Sequence, residues 1–303
     1  MQGGHSLPGP DAVIMEKLLA VVAMLANAGK DTIFKVAAVD EGGSTTTLFY
    51  GIKAAIIALL SLVILLVQGK PLLHLPTLPW AIPLGVLAMT TYTLALKSLA
   101  SGDASTSVTV FRLNFVLSSG AAALFLGEAF TATKLAGLGL SLAAILIFFV
   151  GSRAEARVAA SLKGIPLGTR SVVLAVLACV CASVLNTSNK IALNAGVSIL
   201  HLIMYRYVVV CIISALWIGK DRGSFVPSRK LLIASASCAV LMLVSMFCAL
   251  SALAGGDVSV VIPIVSLSFL FTAVLSFVFL HEKLSAMKIL GIALAVAGIF
   301  IIG

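Results

Sequence analysis

The sequence predicts an all-α polytopic membrane protein, with ten transmembrane helices arranged as two inverted five-helix repeats around a central cavity. Three observations lead to this prediction. Hydrophobic residues make up 61% of the 303-residue chain and charged residues only 10%, whereas a typical soluble domain carries about 25% charged residues. The apolar residues fall in runs near the length of about 20 residues that crosses a bilayer as a helix. The second half of the chain also repeats the first.

The composition and the short motifs exclude several classes of protein. So few charged residues cannot cover a soluble globule of this size, which argues against a soluble enzyme or a nucleic-acid binder. The net charge of +9 is instead typical of basic loops that face the cytoplasm and anionic headgroups. Phosphate-loop and zincin motifs are incomplete, and the five cysteines lack a zinc spacing. We expect no enzyme activity, no cofactor, no metal site and no nucleic-acid partner.

Ten apolar runs bounded by charge, glycine or proline are predicted as the membrane helices. They cover about residues 17–39, 46–67, 79–99, 104–126, 133–151, 171–193, 198–219, 230–253, 258–280 and 285–303. The longest connection, 152–169, separates a first repeat, 1–151, from a second repeat, 170–303. The first 16 residues show no cleavable signal peptide, so the first run is expected to stay in the membrane.

The two halves are related by a shift of 154 residues. Leu96–Phe148 lies over Leu250–Ile302 without a gap, and 18 of the 53 positions are identical. The polar matches carry most weight in so apolar a chain, and they include Asp103/Asp257, Glu128/Glu282 and Lys134/Lys288. The first helix matches the sixth at a shift of 155. Because each half has an odd number of spans, the halves enter the bilayer in opposite directions, an arrangement typical of secondary transporters.

A corner motif ends the fourth span of each half. It reads Leu126-Gly-Glu-Ala-Phe-Thr131 in the first half and Leu280-His-Glu-Lys-Leu-Ser285 in the second. A Leu-x-Glu-x-hydrophobic-Ser/Thr corner before a glycine-bearing last helix resembles the EamA domains of the drug/metabolite transporter superfamily. The resemblance covers essentially the whole chain. It implies a multi-pass protein of the bacterial inner membrane that exports amino acids and related metabolites by alternating access, as YddG- and RhtA-type exporters do.

The resemblance leaves the substrate and the coupling open. Its relatives include exchangers of phosphorylated sugars and nucleotide sugars, and drug efflux carriers are a further alternative. The expected partners are a small-molecule substrate and the lipid bilayer, and protons are one candidate coupling ion beside uniport and exchange. The protein is expected to be a monomer or a weak homodimer. Remote alternatives are a channel and a polytopic membrane enzyme, which needs clustered acids or a nucleophile–base pair at membrane depth.

Polar residues inside the predicted spans are the candidates for the translocation path, because an ionisable group there costs about 2.5–3.5 kcal/mol on insertion scales. In the first span they share one helical face, and Asp31 and Lys35 are spaced to pair. The alternative is a shorter span whose lysines reach the interface. The predicted path residues are Asn27, Lys30, Asp31, Lys35, Tyr92, Arg112, Asn114, Asn186, Asn189, Lys190, Ser245 and Ser266.

Arg112 lies near the middle of the fourth span. It stays protonated and offers five donors, so it either holds a substrate carboxylate or pairs with Asp31 as a structural tie. Its repeat counterpart is Ser266, so the fold does not need this charge in both halves. Tyr205-Arg206-Tyr207 lies in the seventh span, and Lys53 is placed similarly in the second. The aromatic residues of this group are assigned to an interfacial belt or to packing, with the cavity wall as the alternative.

Several residues at the predicted helix ends are assigned structural roles. Asp103 and Asp257 follow glycine at helix starts and are predicted N-caps. Glu128 and Glu282 are predicted anchors at the membrane surface. Small residues spaced four apart at Gly137/Ser141 and Gly291/Ala295 predict close packing within the chain, with a dimer face as the alternative.

Two arguments disagree on the side of the termini. The resemblance places them in the cytoplasm. The loops on the terminal side hold three basic residues and the opposite loops hold ten, so the positive-inside rule places the termini outside. Both orientations stay open at this point.

Overall fold

The computed structural model describes residues 10–38, 43–100, 110–160, 169–220, 227–280 and 286–302, and within these ranges it contains helices and no strand. The α-helices are α1 (Pro10–Ala38), α2 (Gly43–Val67), α3 (Leu78–Ala100), α4 (Asn114–Leu126), α5 (Ala132–Ala160), α6 (Thr169–Asn194), α7 (Ile199–Lys220), α8 (Arg229–Gly255), α9 (Val258–Ser266), α10 (Ser268–Leu280) and α11 (Ala286–Ile302). A 3-10 turn, Leu75–Thr77, leads into α3. The predicted all-α class is confirmed.

Six stretches of the described chain are long and apolar enough to cross a membrane. They are Thr47–Val67, Leu75–Ser98, Arg170–Asn194, Ile199–Ile218, Arg229–Gly255 and Val258–Leu275. Three shorter apolar helices accompany them, Val110–Leu126, Ala132–Ile147 and Ile289–Ile301. Large apolar side chains such as Leu124 and Phe300 are exposed on the outer surface, as expected where lipid replaces water. The multi-pass membrane class is therefore supported, while six long spans leave the predicted count of ten unconfirmed.

The predicted fourth and ninth spans are interrupted at corresponding positions. Residues 110–112 are helical, Leu113 is a turn and α4 begins after it; α9 ends before a turn at Leu267, and α10 follows. These two leucines are separated by the repeat shift of 154. Each turn is closed by an i→i−3 hydrogen bond, from Leu113 N–H to Val110 O and from Leu267 N–H to Ile264 O, both at 3.2 Å. Both turn residues keep right-handed backbone angles, φ −65° and ψ −4° at Leu113 and φ −73° and ψ 0° at Leu267, so each helix is tightened and not unwound there. Interruptions at corresponding positions of two repeats point to the binding site in inverted-repeat transporters.

The two halves pack against each other through pairs of helices, one from each repeat. In the described chain α1 lies on α8 and, in the equivalent contact, α3 lies on α6; α2 packs on α7 and α5 on α11. A methyl group added at Gly298 of α11 would meet Ser141 Oγ at 3.2 Å and Gly137 O at 3.4 Å. The small-residue pattern thus serves packing within the chain, as predicted. The core belongs to both repeats jointly, so a cavity can form between them.

Replacing Gly85 by alanine is expected to lower the unfolding temperature in detergent. A Cβ there would lie 2.8 Å from Val209 Cβ and 3.2 Å from Arg206 O, so α3 and α7 would have to separate, at about 1–3 kcal/mol. Gly120→Ala in α4 is the matched control, because nothing lies within 4 Å of its added methyl. That control is expected to be neutral or slightly stabilising. Equal unfolding temperatures for the two variants would contradict this packing.

Candidate functional site

A cavity of about 610 Å³ lies between the two halves, and residues beside both helix interruptions contribute to its wall. The volume is in the range of about 300–1,000 Å³ that is typical of small-molecule sites. Ten of the twelve predicted path residues line it: Asn27, Lys30, Asp31, Tyr92, Arg112, Asn114, Asn186, Asn189, Ser245 and Ser266. The side chain of Lys35 lies outside the described part of the structure. The predicted residues are therefore brought together, with Lys190 as the exception treated below.

Asp31 is the centre of a charged group that joins α1 to both interruptions. Its carboxylate lies 3.1 Å from Lys30 Nζ and 3.0 Å from an Arg112 guanidinium nitrogen. The same guanidinium donates to Ser268 Oγ at 3.2 Å. Arg112, next to the first interruption, thus contacts the residue that follows the second one. The structural tie and the position on the cavity wall, offered as alternatives from the sequence, coexist here, and direct substrate contact stays a prediction.

Neutral polar groups continue the wall beside the first interruption. Asn186 of α6 donates to Asn114 Oδ1 at 3.3 Å and to Ser118 Oγ at 3.1 Å. Asn114 itself donates to Phe111 O at 2.7 Å, which satisfies a carbonyl at the turn. On the other side, Ser245 Oγ donates to Ala23 O at 3.0 Å. These bonds hold α1, α4, α6 and α8 around the cavity and present amide and hydroxyl groups to its interior.

Two cations on the wall, Lys53 and Arg206, were not among the predicted path residues. Lys53 Nζ lies 4.1 Å from the ring centroid of Tyr50 and 5.4 Å from that of Tyr92, and the two rings stack at 5.7 Å. Arg206 donates to the side-chain carbonyl of Asn189. The signal was present in the sequence, because both are ionisable residues at membrane depth. The sequence-based prediction gave a role only to the aromatic neighbours, so these two cations were missed.

A second polar group, which we call the end cluster, joins four helix ends away from the cavity. It consists of Glu128, Lys134, Lys190, Asp257 and Ser259. The Glu128 carboxylate accepts from Val258 N–H at 2.7 Å and from Ser259 N–H at 3.0 Å, and from the Ser259 hydroxyl at 2.6 Å. The N-terminus of α9 is therefore capped by a side chain from the other repeat, not by a residue of its own.

The prediction that the Asp257 side chain caps α9 is wrong. Asp257 occupies the N-cap position of α9, yet its side chain makes no capping hydrogen bond. It lies 2.5 Å from Lys134 Nζ instead, because Glu128 already occupies the free N–H groups. Asp103 and Glu282, their repeat counterparts, lie outside the described residues.

Lys190 departs from the expectation that it lines the path. Its ammonium donates to Leu253 O at 2.7 Å and to Gly256 O at 2.9 Å, so it satisfies carbonyls left free where α8 ends. Those bonds turn it away from the cavity wall. Leu253 does line the cavity, so the end cluster and the cavity share a boundary at this residue.

The described part of the chain offers neither a cluster of metal ligands nor a paired thiol. No group of three or more potential metal ligands occurs among the described residues. The five cysteines are free thiols, and Cys238, on the wall, donates weakly to Lys30 O at 3.5 Å.

Comparison with known proteins identifies the family. The EamA-like transporter family matches residues 14–150 and again residues 169–303. The chain belongs to the EamA-like transporter family. The match occurs twice, once in each half, and accounts for most of the chain. This membership supports a transporter of the drug/metabolite superfamily, while the finer likeness to YddG- and RhtA-type exporters stays a prediction.

The other comparisons support the fold of this EamA-like transporter and do not indicate its substrate. No curated protein matches the sequence. One solved crystal structure superposes with a TM-score of 0.76 over 96% of each chain, at 15% sequence identity. At that identity the likeness concerns the fold alone, so the substrate has to be inferred from the cavity itself.

Proposed function

We propose that this protein is a secondary active transporter that exports small polar metabolites, amino acids first among them, across the bacterial inner membrane by alternating access. The observation that carries the proposal is the cavity at two equivalent helix interruptions, lined by charged and hydrogen-bonding side chains. Such sites lie near the bilayer midplane at the repeat interface in inverted-repeat transporters. The full ten-helix arrangement, five spans in each repeat, belongs to the same proposal.

The charged group formed by Asp31, Lys30 and Arg112, which we call the Asp31 centre, has the chemistry to bind a zwitterion. The guanidinium of Arg112 can hold a carboxylate through paired N–H donors. The carboxylate of Asp31 can accept from an ammonium group. Because Lys30 and Arg112 both contact Asp31 in the described structure, a bound amino acid would take over part of these contacts. The exchange of internal ion pairs for contacts to substrate makes binding reversible.

The end cluster supplies the closure that alternating access needs at one end of the cavity. It ties the end of α4 and the start of α5, in the first repeat, to the junction of α8 and α9 in the second. Its bonds to Leu253 and Gly256 hold the backbone next to the cavity wall. Opening at this end requires these bonds to separate while the Asp31 centre stays assembled.

Counterflow in proteoliposomes tests the proposal. Vesicles are loaded with an unlabelled amino acid, and uptake of the same labelled amino acid is followed, over a panel of neutral, acidic and basic amino acids. We expect saturable uptake that is stimulated by substrate on the opposite side, and none in protein-free vesicles. Absence of saturable exchange across the whole panel would contradict the substrate class. Flux without stimulation from the opposite side would indicate a channel.

A further inference from the structure

The cavity wall carries more positive charge than its single carboxylate can balance. Four cationic side chains line it, Lys30, Lys53, Arg112 and Arg206, against Asp31 as the one carboxylate in the described lining. Asp31 is already paired with two of these cations. Lys53 and Arg206 have no carboxylate within ion-pair distance among the described residues. The wall therefore has a formal excess of three positive charges.

Lys53 is a buried ammonium whose neighbours are aromatic rings. Its exposure is 5%, and its Nζ lies over the faces of Tyr50, Tyr92 and, at 5.9 Å, Phe49. A cation over an aromatic face gains about 0.5–2 kcal/mol. That gain does not offset the several kcal/mol that an unpaired ammonium costs away from water. The aromatic faces can position this amine, and an anion in the cavity would favour its charged form.

Arg206 is a second buried cation without a carboxylate partner within the described ranges, and it also has too few hydrogen-bond acceptors. It is 2% exposed, donates to Asn189, and its Nε is buried without a hydrogen-bond partner in the described structure. A guanidinium has five N–H donors, so a neutral amide satisfies only a small part of it. Arg206 lies on α7 and Lys53 on α2, which are the second helices of the two repeats and pack against each other. Each repeat thus contributes one such cation to the cavity.

Two buried or half-buried lysines elsewhere in the described chain, Lys134 and Lys190, have partners within the protein. Lys190 donates to two backbone carbonyls, and Lys134 pairs with Asp257. A cation that only fastened helices together would be expected to have partners of this kind. Lys53 and Arg206 line a cavity of about 610 Å³ instead, where a solute can reach them.

We propose that the transported solute is an organic acid of net negative charge, and that Lys53 and Arg206, one from each repeat, supply the positive charge on the cavity wall that selects for its anionic group, a carboxylate or a phosphate. The proposal rests on the carrier function above and names the substrate class of that same cavity. An anion supplies the missing counter-charge, and guanidinium and ammonium donors match its oxygens. The Asp31 centre then takes the amino-acid end or another polar end of the solute. A neutral zwitterion would fill that centre and leave both cations without a partner.

Matched pairs of solutes that differ in charge and little in shape test this proposal on the wild-type protein. The pairs are glutamate and glutamine, phosphoserine and serine, and succinate and succinamide, each measured by stabilisation against heat in detergent and by competition in counterflow. We expect the anion to bind at least tenfold more tightly than its neutral partner in at least one pair. The pair with the largest difference in affinity shows whether the site prefers a carboxylate or a phosphate.

Variants of Lys53 and Arg206 then test whether these two residues cause the preference for the anion. Lys53→Gln and Arg206→Gln are each expected to reduce the anion preference to near unity, while Lys70→Gln, which removes an exposed loop cation, leaves it unchanged. Arg206→Lys keeps the charge without the guanidinium fork and is expected to retain a reduced preference.

The failures of the two proposals can be told apart. Saturable exchange of glutamine or serine with equal or weaker binding of the anions would overturn the anion subsite and leave the carrier intact. Absence of binding by all three anions would also overturn it. A preference that persists in both glutamine variants would remove Lys53 and Arg206 from the site.

Discussion

Replacing Asp31 by asparagine is expected to destabilise the protein by on the order of 3 kcal/mol and to abolish transport. The substitution leaves Lys30 and Arg112 without the carboxylate that lies within 3.1 Å of each. Breaking a buried ion pair by removing one partner costs about 3–5 kcal/mol, because the remaining charge stays desolvated. The side chains here retain 18–27% exposure, so the lower end of that range applies. Unfolding in detergent and counterflow activity measure the two effects.

The double variant Asp31→Asn/Arg112→Gln provides the control for this prediction. Removing both partners leaves no unpaired Arg112 guanidinium, so the free energy of unfolding is expected to recover in part. Transport is still expected to be lost. The difference between the double variant and the sum of the single variants measures the coupling. Simple additivity of the Asp31 and Arg112 substitutions would contradict the ion pair as the link between α1 and the first interruption.

Replacing Glu128 by alanine is expected to have the second-largest effect. It removes both acceptors of the Val258 and Ser259 N–H groups and of the Ser259 hydroxyl. A hydrogen bond to a charged group contributes about 1.5–3 kcal/mol, so losing the cap costs on the order of 3 kcal/mol. Because the cap also holds the end cluster closed, the population open at this end is expected to rise. A shift of 1.4 kcal/mol in this equilibrium corresponds to a factor of about ten.

Lys134→Met is the matched control in the same cluster. Its partner Asp257 is 47% exposed, and ion pairs that face solvent typically contribute about 0–1 kcal/mol. We therefore expect a small change in unfolding temperature for Lys134→Met and a large one for Glu128→Ala. Glu128→Gln keeps an acceptor and is expected to lie between them. Equal effects of Glu128→Ala and Lys134→Met would show that the cap of α9 does not hold the cluster.

The helical class and most of the polar residues on the cavity wall could be predicted from the sequence. Apolar runs of membrane length require helices, because a lipid environment leaves the backbone no other partners. Residues such as Asn27, Lys30 and Asp31 were found because polar side chains inside such runs are costly. The internal repeat added the expectation that the site lies between the halves, where ten of the twelve predicted residues now lie.

The remaining features depend on contacts between distant residues, which leave little local signal. The turns at Leu113 and Leu267 need neither glycine nor proline at the turn residue, so a continuous apolar pattern hides them. Asp257 has the local sequence of an N-cap, but a carboxylate 129 residues earlier in the chain takes the N–H groups. Lys190 is polar at membrane depth because it donates to two carbonyls at the end of α8, those of Leu253 and Gly256. Periodicity alone cannot separate such a capping lysine from one on the cavity wall.

The most direct test of the central claim, that the cavity between the repeats is the transport path, is the accessibility of a cysteine placed at Ser266. Ser266 lines the cavity beside the second interruption, and the five native cysteines are first replaced. A membrane-impermeant maleimide is applied from either face in oriented vesicles, with Ala144→Cys, buried between α5 and α11, as the unreactive control. Alternating access predicts labelling of Ser266→Cys from both faces, and protection from both by a transported solute. Labelling from one face only, or labelling that no transported solute reduces, would contradict the claim.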